Sequence, residues 1–201
     1  MSMYLVLFLL PMAAGFAAQA WVRRAVARAQ DVPASMTGAE AAHRILARHG
    51  AMQVRVEPSK DGPLTDHYDP REQVIRLSDQ IYNRSSAAAV AIAAHECGHA
   101  LQHHTAHSMF RLRTALAPSA AVASQLWVLP LMLGVFAGFA GLIWVAVVLF
   151  SAVLLFHLVT LPVEIDASRR AMRILREDGM IDAQTTPAAR GVLTAAADER
   201  L

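Results

Sequence analysis

The sequence predicts a predominantly helical α+β protein that combines a small β-sheet with about three transmembrane helices. Three observations support this fold class. The chain of 201 residues is 55% hydrophobic, and its mean hydropathy of +0.36 exceeds that of an ordinary soluble domain. All 18 basic and 16 acidic residues lie outside two uncharged segments, residues 1–22 and 114–163. The rest of the chain alternates helical and strand-like patterns, as a water-facing part does.

The first uncharged segment, residues 1–22, is predicted to be a transmembrane anchor. Its length matches a hydrocarbon core about 30 Å thick. Ala18-Gln19-Ala20 is similar to a signal-peptide cleavage site, but no Lys or Arg precedes the apolar run, whereas Arg23 and Arg24 follow it. This charge order is the reverse of a signal peptide. We therefore expect an uncleaved anchor whose N-terminus lies outside the cell and whose arginines lie in the cytoplasm.

Within the second uncharged segment, residues 126–163 are predicted to form a two-span hairpin. One span needs about 20 residues, so two fit, with a tight turn at the glycines of 138–141. Arg111 and Arg113 precede the hairpin, and four arginines follow it. Because positive charge marks the cytoplasmic side, both ends of the hairpin are expected there.

Residues 23–113 are predicted to form the main cytoplasmic part. The capping box Thr37-Gly38-Ala39-Glu40 begins a helix that ends near Gly50. Alternating apolar residues predict two short strands, at Met52–Val56 and Val74–Leu77. Ser85 or Ser86 is then expected to cap an alanine-rich helix that runs to about His104.

That helix carries His95-Glu96-Cys97-Gly98-His99, an H-E-x-x-H pattern. Two histidines four residues apart lie on one helix face, so both rings can bind one Zn²⁺. Glu96 lies beside them, where it can take a proton from a zinc-activated water. The flanking residues are uncharged, and buried polar groups need partners, which a metal supplies. The competing interpretation is a chance match whose histidines are satisfied in an ordinary core.

A catalytic zinc needs a third protein ligand and one open position. The candidates are His103, His104, His107, Glu164 and Asp166. The hairpin returns the chain to the side of the motif just before Glu164, and Pro162 suits the first turn of a new helix. In the C-terminal helical part, residues 164–201, Glu164 heads an apolar stripe, whereas Asp166 lies on the polar one. Glu164 is therefore the predicted ligand, the alternative being a carboxylate placed at a helix N-terminus for its dipole.

A polar loop, Thr65-Asp66-His67-Tyr68, precedes the second predicted strand. A His or Tyr there could stabilise an oxyanion during peptide hydrolysis. A turn held by local hydrogen bonds explains the same residues equally well.

These residues together resemble the bacterial membrane zinc metallopeptidases of the YugP type. The matching stretches are residues 36–40, 64–70, 94–100 and 160–171. The resemblance implies a zinc-dependent endopeptidase with a zincin-like core in the bacterial inner or plasma membrane. Family members tend to carry a further apolar segment beyond residues 192–195. Because this sequence ends at Leu201, it is interpreted either as a short member of the family or as a shortened form that lacks the last span.

A more distant similarity links the chain to the HtpX and CAAX-protease group. In that group a Glu after a membrane hairpin is the third zinc ligand, and an Asp follows four residues later. The corresponding position here is Ser168. This difference leaves the hydrogen-bond partner of the predicted ligands open.

The predicted function is hydrolysis of peptide bonds at the cytoplasmic face, with Zn²⁺ on His95, His99 and Glu164 and with Glu96 as general base. The expected substrates are unfolded or membrane-proximal polypeptides, and a sheet edge could bind them by strand addition. The net charge of +2 argues against nucleic acid as a partner. The sequence does not indicate the oligomeric state.

Two other functions compete with this prediction. The first is a non-enzymatic protein in which zinc has a structural or sensing role, as a fourth ligand such as His103 would favour. The second is an intramembrane metalloprotease, which typically adds a Leu-Asp-Gly ligand motif in a later span. The two Asp-Gly pairs here, Asp61-Gly62 and Asp178-Gly179, lie outside the apolar runs.

Overall fold

The computed structural model describes residues 2–60, 62 and 65–199, with only the backbone described at residues 2–12, 14 and 197–199. Helices predominate, as predicted, and three short strands form a small sheet. In chain order the elements are α1 (Ser2–Gln30), α2 (Gly38–Arg48), β1 (Arg55–Pro58), β2 (His67–Asp69), β3 (Val74–Leu77), α3 (Asp79–Tyr82), α4 (Ala87–His104), α5 (Ser108–Leu126), α6 (Val128–Ala137), α7 (Ala140–Glu177) and α8 (Thr185–Glu199).

The chain divides into two compact units. The first contains residues 1–105 and 164–199, and therefore holds the sheet, α1 to α4, α8 and the end of α7. The second contains residues 106–163, with α5, α6 and the start of α7. The predicted division into four segments stays a prediction.

Helix α2 begins at the predicted capping box. The Thr37 hydroxyl accepts a hydrogen bond from the Glu40 amide at 3.2 Å, and the Glu40 carboxylate accepts one from the Thr37 amide at 2.7 Å. These bonds satisfy donors that the first helical turn leaves open. The buried face of α2, including Ile45 and Leu46, packs against α4.

The sheet has the strand order β1-β3-β2, with β1 parallel and β2 antiparallel to β3. The predicted strand at Val74–Leu77 is confirmed as β3. The predicted strand at Met52–Val56 begins three residues too early, because the Val54 amide closes a turn onto the Ala51 carbonyl at 3.0 Å. Strand β2, at His67–Asp69, was expected to be a loop, because three residues of mixed polarity show no alternation to detect.

Helix α4 is the centre of the first unit. Ser86 caps it, as predicted, with its hydroxyl accepting a hydrogen bond from the Ala89 amide at 3.2 Å. Every residue from Ala87 to Gln102 except Ile92 is buried. Helices α1, α2, α3 and α8 and strands β2 and β3 all pack against it. Small alanine side chains allow this close covering from several directions.

Two helical stretches of the described residues are long and apolar enough to cross a membrane, residues 108–137 and 140–177. Gly138, in the left-handed conformation at φ 65°, separates them. The turn predicted at residues 138–141 is therefore in the correct place. It is shorter than predicted, because α7 begins at Ala140 and already includes Gly141. Many large apolar side chains of these stretches are exposed, among them Phe136 at 85% and Trp144 at 69%, as lipid-facing residues are.

The third predicted span, the anchor at residues 1–22, coincides with the start of α1. The backbone there is helical. The side chains of residues 1–12 and 14 lie outside the described part of the chain. The anchor therefore stays a prediction. The two helical stretches at residues 108–137 and 140–177 are the candidate membrane spans among the described residues.

The prediction of a new helix at Pro162 is wrong, because α7 continues through this proline from Ala140 to Glu177. Proline removes one backbone hydrogen bond from a helix interior. Membrane-spanning helices tolerate this loss, because a non-helical backbone would leave more polar groups unsatisfied in lipid. The apolar run and the segment that begins with Glu164 are therefore one helix.

We predict that Thr37→Ala lowers the free energy of unfolding by about 1 kcal/mol, the usual cost of losing a side-chain cap. Denaturation of the detergent-solubilised protein, followed by circular dichroism, measures this change. Glu40→Gln is the control, because glutamine also completes a capping box. If Thr37→Ala is no less stable than Glu40→Gln, the capping box does not stabilise α2.

Candidate metal centre

Three buried side chains meet between α4 and α7. His95 and His99 lie one turn apart on α4, and Glu164 lies on α7. Their ligand atoms are all within 4.8 Å of one another. Glu164 Oε2 is 3.2 Å from Nε2 of His95 and 3.2 Å from Nε2 of His99. The exposed fractions are 3% for each histidine and 0% for Glu164. We call these three residues the metal cluster.

A glycine allows the two helices to come this close. A Cβ atom on Gly98 would lie 2.8 Å from the carbonyl oxygen of Ala167 and 3.2 Å from its Cα. Both are backbone atoms, which cannot turn aside as a flexible side chain can. Only the missing side chain at Gly98 permits α4 to rest directly on α7, and this contact places Glu164 against the two imidazoles.

Each histidine of the cluster is held at its other ring nitrogen. Nδ1 of His95 is 3.2 Å from the hydroxyl of Ser168. Nδ1 of His99 is 3.0 Å from Oε1 of Gln102, which is fully buried. These bonds fix the ring orientations and direct both Nε2 atoms towards Glu164. The sequence did not indicate which residue bonds the predicted ligands, because Ser168 occupies the position where the HtpX and CAAX-protease group has an Asp. In the structure the Ser168 hydroxyl contacts His95.

The side chain of Gln102 continues this contact towards α7. Its Nε2 donates to Oδ2 of Asp166 at 2.8 Å, and Nε of Arg170 donates to the same oxygen at 2.6 Å. Because the amide nitrogen faces Asp166, the amide oxygen faces His99 and accepts its Nδ1 proton. The lone pair of His99 Nε2 is thereby left for a ligand in the cluster.

The cluster fits a zinc ion. Two imidazole nitrogens and one carboxylate oxygen form a donor set that catalytic zinc sites use. Bonds of 2.0–2.1 Å in tetrahedral geometry separate ligand atoms by about 3.3 Å. The separations of 3.2 Å between Glu164 Oε2 and the two Nε2 atoms agree with that value.

Glu96 and Cys97 lie between the two histidines in the sequence. Glu96 is 3% exposed and does not belong to the metal cluster. Cys97 is buried, and its Sγ donates to the Ala42 carbonyl at 3.7 Å. Burial, with a further contribution from the charge of Glu96, raises the pKa of the Cys97 thiol. The thiol therefore stays neutral and serves as a packing residue.

The other candidate ligands lie outside the cluster. His103 Nδ1 is 2.8 Å from the Tyr68 hydroxyl, and His104 Nδ1 is 3.3 Å from Gln53 Nε2. Nδ1 of His107 accepts from the Phe110 amide at the start of α5. Burial raises the pKa of Tyr68 to about 12, so its hydroxyl keeps its proton at neutral pH. Asp166 contacts Gln102, whose side chain in turn contacts His99.

Sequence reasoning missed Gln102. The signal was present, since a residue three positions after His99 lies on the same side of a helix. It could not be interpreted without Asp166, which α7 brings from elsewhere in the chain.

Comparisons with known proteins show the family to which the chain belongs. The family described as "Putative neutral zinc metallopeptidase" matches residues 4–198. The chain is also similar to the "Putative membrane protease YugP" of Bacillus subtilis (strain 168). The two are 42% identical over 167 residues, which is 83% of this chain and 74% of that protein. No solved structure matches the chain. The resemblance predicted from the sequence motifs is confirmed.

We predict that Gly98→Ala weakens zinc binding at least about tenfold, since ligand distances must hold to within about 0.2 Å and the new methyl group forces α4 from α7. Competition with a chelator measures the affinity. Gly191→Ala is the control, because Gly191 lies in α8 with open space around its Cβ position. Equal zinc affinities for both variants would contradict the role of the close approach.

We predict that Gln102→Leu lowers zinc affinity by about 10- to 100-fold, the usual effect of removing a group that orients a ligand. Leucine has a similar size but cannot accept the His99 proton. Gln53→Leu makes the same substitution at an exposed glutamine that contacts His104. The same chelator competition should find the affinity of this control unchanged, and a loss shared by both variants would count against the assignment.

Proposed function

Because the chain belongs to the putative neutral zinc metallopeptidase family, we propose that it is a membrane-bound, zinc-dependent endopeptidase. The observation that carries the proposal is the metal cluster, in which two histidines of an H-E-x-x-H helix meet a buried glutamate with zinc-like spacing. The core around it is proposed to be zincin-like.

Each residue of the motif has a proposed role. His95, His99 and Glu164 hold Zn²⁺, with Ser168 and Gln102 orienting the two rings. When bound, the ion supplies Lewis acidity that activates water and polarises the scissile carbonyl. The buried surroundings strengthen these charge interactions, because little water screens them.

Glu96 is the proposed general base. It is next to a ligand in the sequence and is buried, yet it is not part of the cluster. Its carboxylate takes a proton from the attacking water, whose oxygen joins the carbonyl carbon. The carboxyl group then gives that proton to the leaving amine as the peptide C–N bond breaks. One residue thus serves first as base and then as acid.

The composition of the cluster favours the peptidase over a structural zinc protein. A closed structural site needs four protein ligands. Among the described residues the cluster contains three, and the ring of His103, the proposed fourth, contacts Tyr68. We therefore propose that the fourth coordination position of the zinc is open to water and substrate.

An intramembrane protease is less well supported. Helix α4, which carries the motif, is not one of the two candidate spans among the described residues. Asp178 pairs with Arg48 at 2.9 Å and lies outside the cluster. Asp61, the other aspartate in an Asp-Gly pair, falls outside the described residues.

The proposed location is the cytoplasmic face of the bacterial plasma membrane, with the N-terminal anchor starting outside. Two apolar helices and the arginines beside them support this location. The proposed substrates are unfolded or membrane-proximal polypeptides. The sheet has two edge strands, β1 and β2, either of which could pair with an extended substrate.

We predict that Glu96→Gln keeps about one zinc per chain but lowers proteolysis by about 10²- to 10⁴-fold, the usual contribution of a general base. Metal analysis and casein cleavage by the purified protein in detergent measure the two quantities. Glu177→Gln is the control, since Glu177 is exposed at the end of α7.

Two other outcomes would reject parts of the proposal. If wild type and Glu96→Gln both hold zinc and neither cleaves casein or itself, the structural-zinc function is favoured. If purified wild type holds no zinc even after addition of the ion, the assignment of the metal cluster fails.

A further inference from the structure

A groove of about 430 Å³ lies between α7 and α8, and its described lining contains neither Glu96 nor a residue of the metal cluster. Three apolar side chains, two arginines, a serine and a threonine line it, and most of the lining surface is apolar. The lining includes Ile165, Met172, Leu193, Arg169, Arg190 and Ser168. All belong to the first unit.

The two arginines give the groove a positive charge. Arg169 and Arg190 are exposed, and neither forms an ion pair with a described residue. By contrast, the neighbouring Arg170 bonds Asp166. None of the described residues that line it is acidic. Arginine's planar fork of donors suits the oxygen atoms of a phosphate.

The groove follows directly on the apolar part of α7. Arg169 is six residues after Val163, the end of the uncharged segment, which is about 9 Å along a helix axis. The headgroup region of a bilayer adds about 5–8 Å on each side of the hydrocarbon core. In the sequence, Arg169 therefore follows the apolar run at about the spacing that separates the hydrocarbon core from the lipid phosphates.

We propose that this groove binds an anionic phospholipid. The phosphate lies between Arg169 and Arg190, and an acyl chain lies against Ile165, Met172 and Leu193. A lipid fits the lining better than an acidic peptide does, because most of the lining surface is apolar and the groove lies on a helix that continues an apolar span. Basic pockets beside membrane helices on the cytoplasmic side bind such headgroups.

The proposed lipid site adjoins the metal cluster without being part of it. Ser168 lines the groove, and its hydroxyl is 3.2 Å from Nδ1 of His95. One side chain therefore separates the two sites. Lipid binding does not depend on peptide hydrolysis, so it can be tested whether or not the proposed activity is found.

The test is native mass spectrometry of the full chain in neutral detergent, titrated with dioctanoyl phosphatidylglycerol or dioctanoyl phosphatidylcholine. We expect phosphatidylglycerol to bind at least about tenfold more tightly, as expected for charge-assisted hydrogen bonds. Arg169→Ala and Arg190→Ala should each weaken it about tenfold. Arg173→Ala removes the same charge from an exposed position on α7 outside the groove, and it should change the affinity less than about twofold.

A second variant tests the groove without removing an arginine. Thr194 is exposed and lines the groove, so Thr194→Glu adds a competing carboxylate and should also weaken phosphatidylglycerol binding about tenfold. Unchanged zinc content would show that the variant is folded. Equal losses in Arg169→Ala and Arg173→Ala, or unchanged binding in Thr194→Glu, would overturn the proposal. So would competition by inorganic phosphate or an acidic peptide as strong as that by the lipid.

Discussion

The close contact of α4 with α7 at Gly98 is the constraint on which the metal cluster depends. His95 and Glu164 are 69 residues apart in the sequence, yet their side chains meet at 3.2 Å. Beside them α4 rests directly on α7, because a Cβ atom at Gly98 would meet the Ala167 backbone at 2.8 Å. The glycine inside the motif thus supplies no ligand and no proton, but it sets the distance between those residues that do.

Burial of three polar groups also needs support beyond the cluster, because an unsatisfied buried group costs free energy. Contacts from His99 through Gln102 and Asp166 lead to Arg170 at the surface. The Ser168 hydroxyl holds the other ring. These contacts join the same two helices as the cluster does, so the polar bonds and the packing at Gly98 favour one relative position of α4 and α7.

Local sequence patterns correctly predicted those structural features that depend on interactions between residues close in the sequence. The capping box of α2, the Ser86 cap, strand β3 and the buried stripe headed by Glu164 all follow from spacing within a few residues. The roles of His95, Glu96, His99 and Glu164 stay predictions, although the structure brings three of them together. Strand β2 was missed because it is held by pairing with β3, and Gln102 because its meaning depends on Asp166. The predicted helix start at Pro162 was wrong. Proline favours the first turn of a helix, but interrupting an apolar helix in lipid would leave more backbone polar groups unsatisfied than the proline does.

Helix α7 presents two faces with different chemistry, one towards the metal cluster and one towards the groove beside α8. Glu164 and Ser168 are four residues apart and share the face that meets the histidines. Ile165 and Arg169 each lie one position after these residues, about 100° around the axis. Together with Met172, one turn further on, they line the groove beside α8. A shift of one residue therefore separates the metal face from the proposed lipid face.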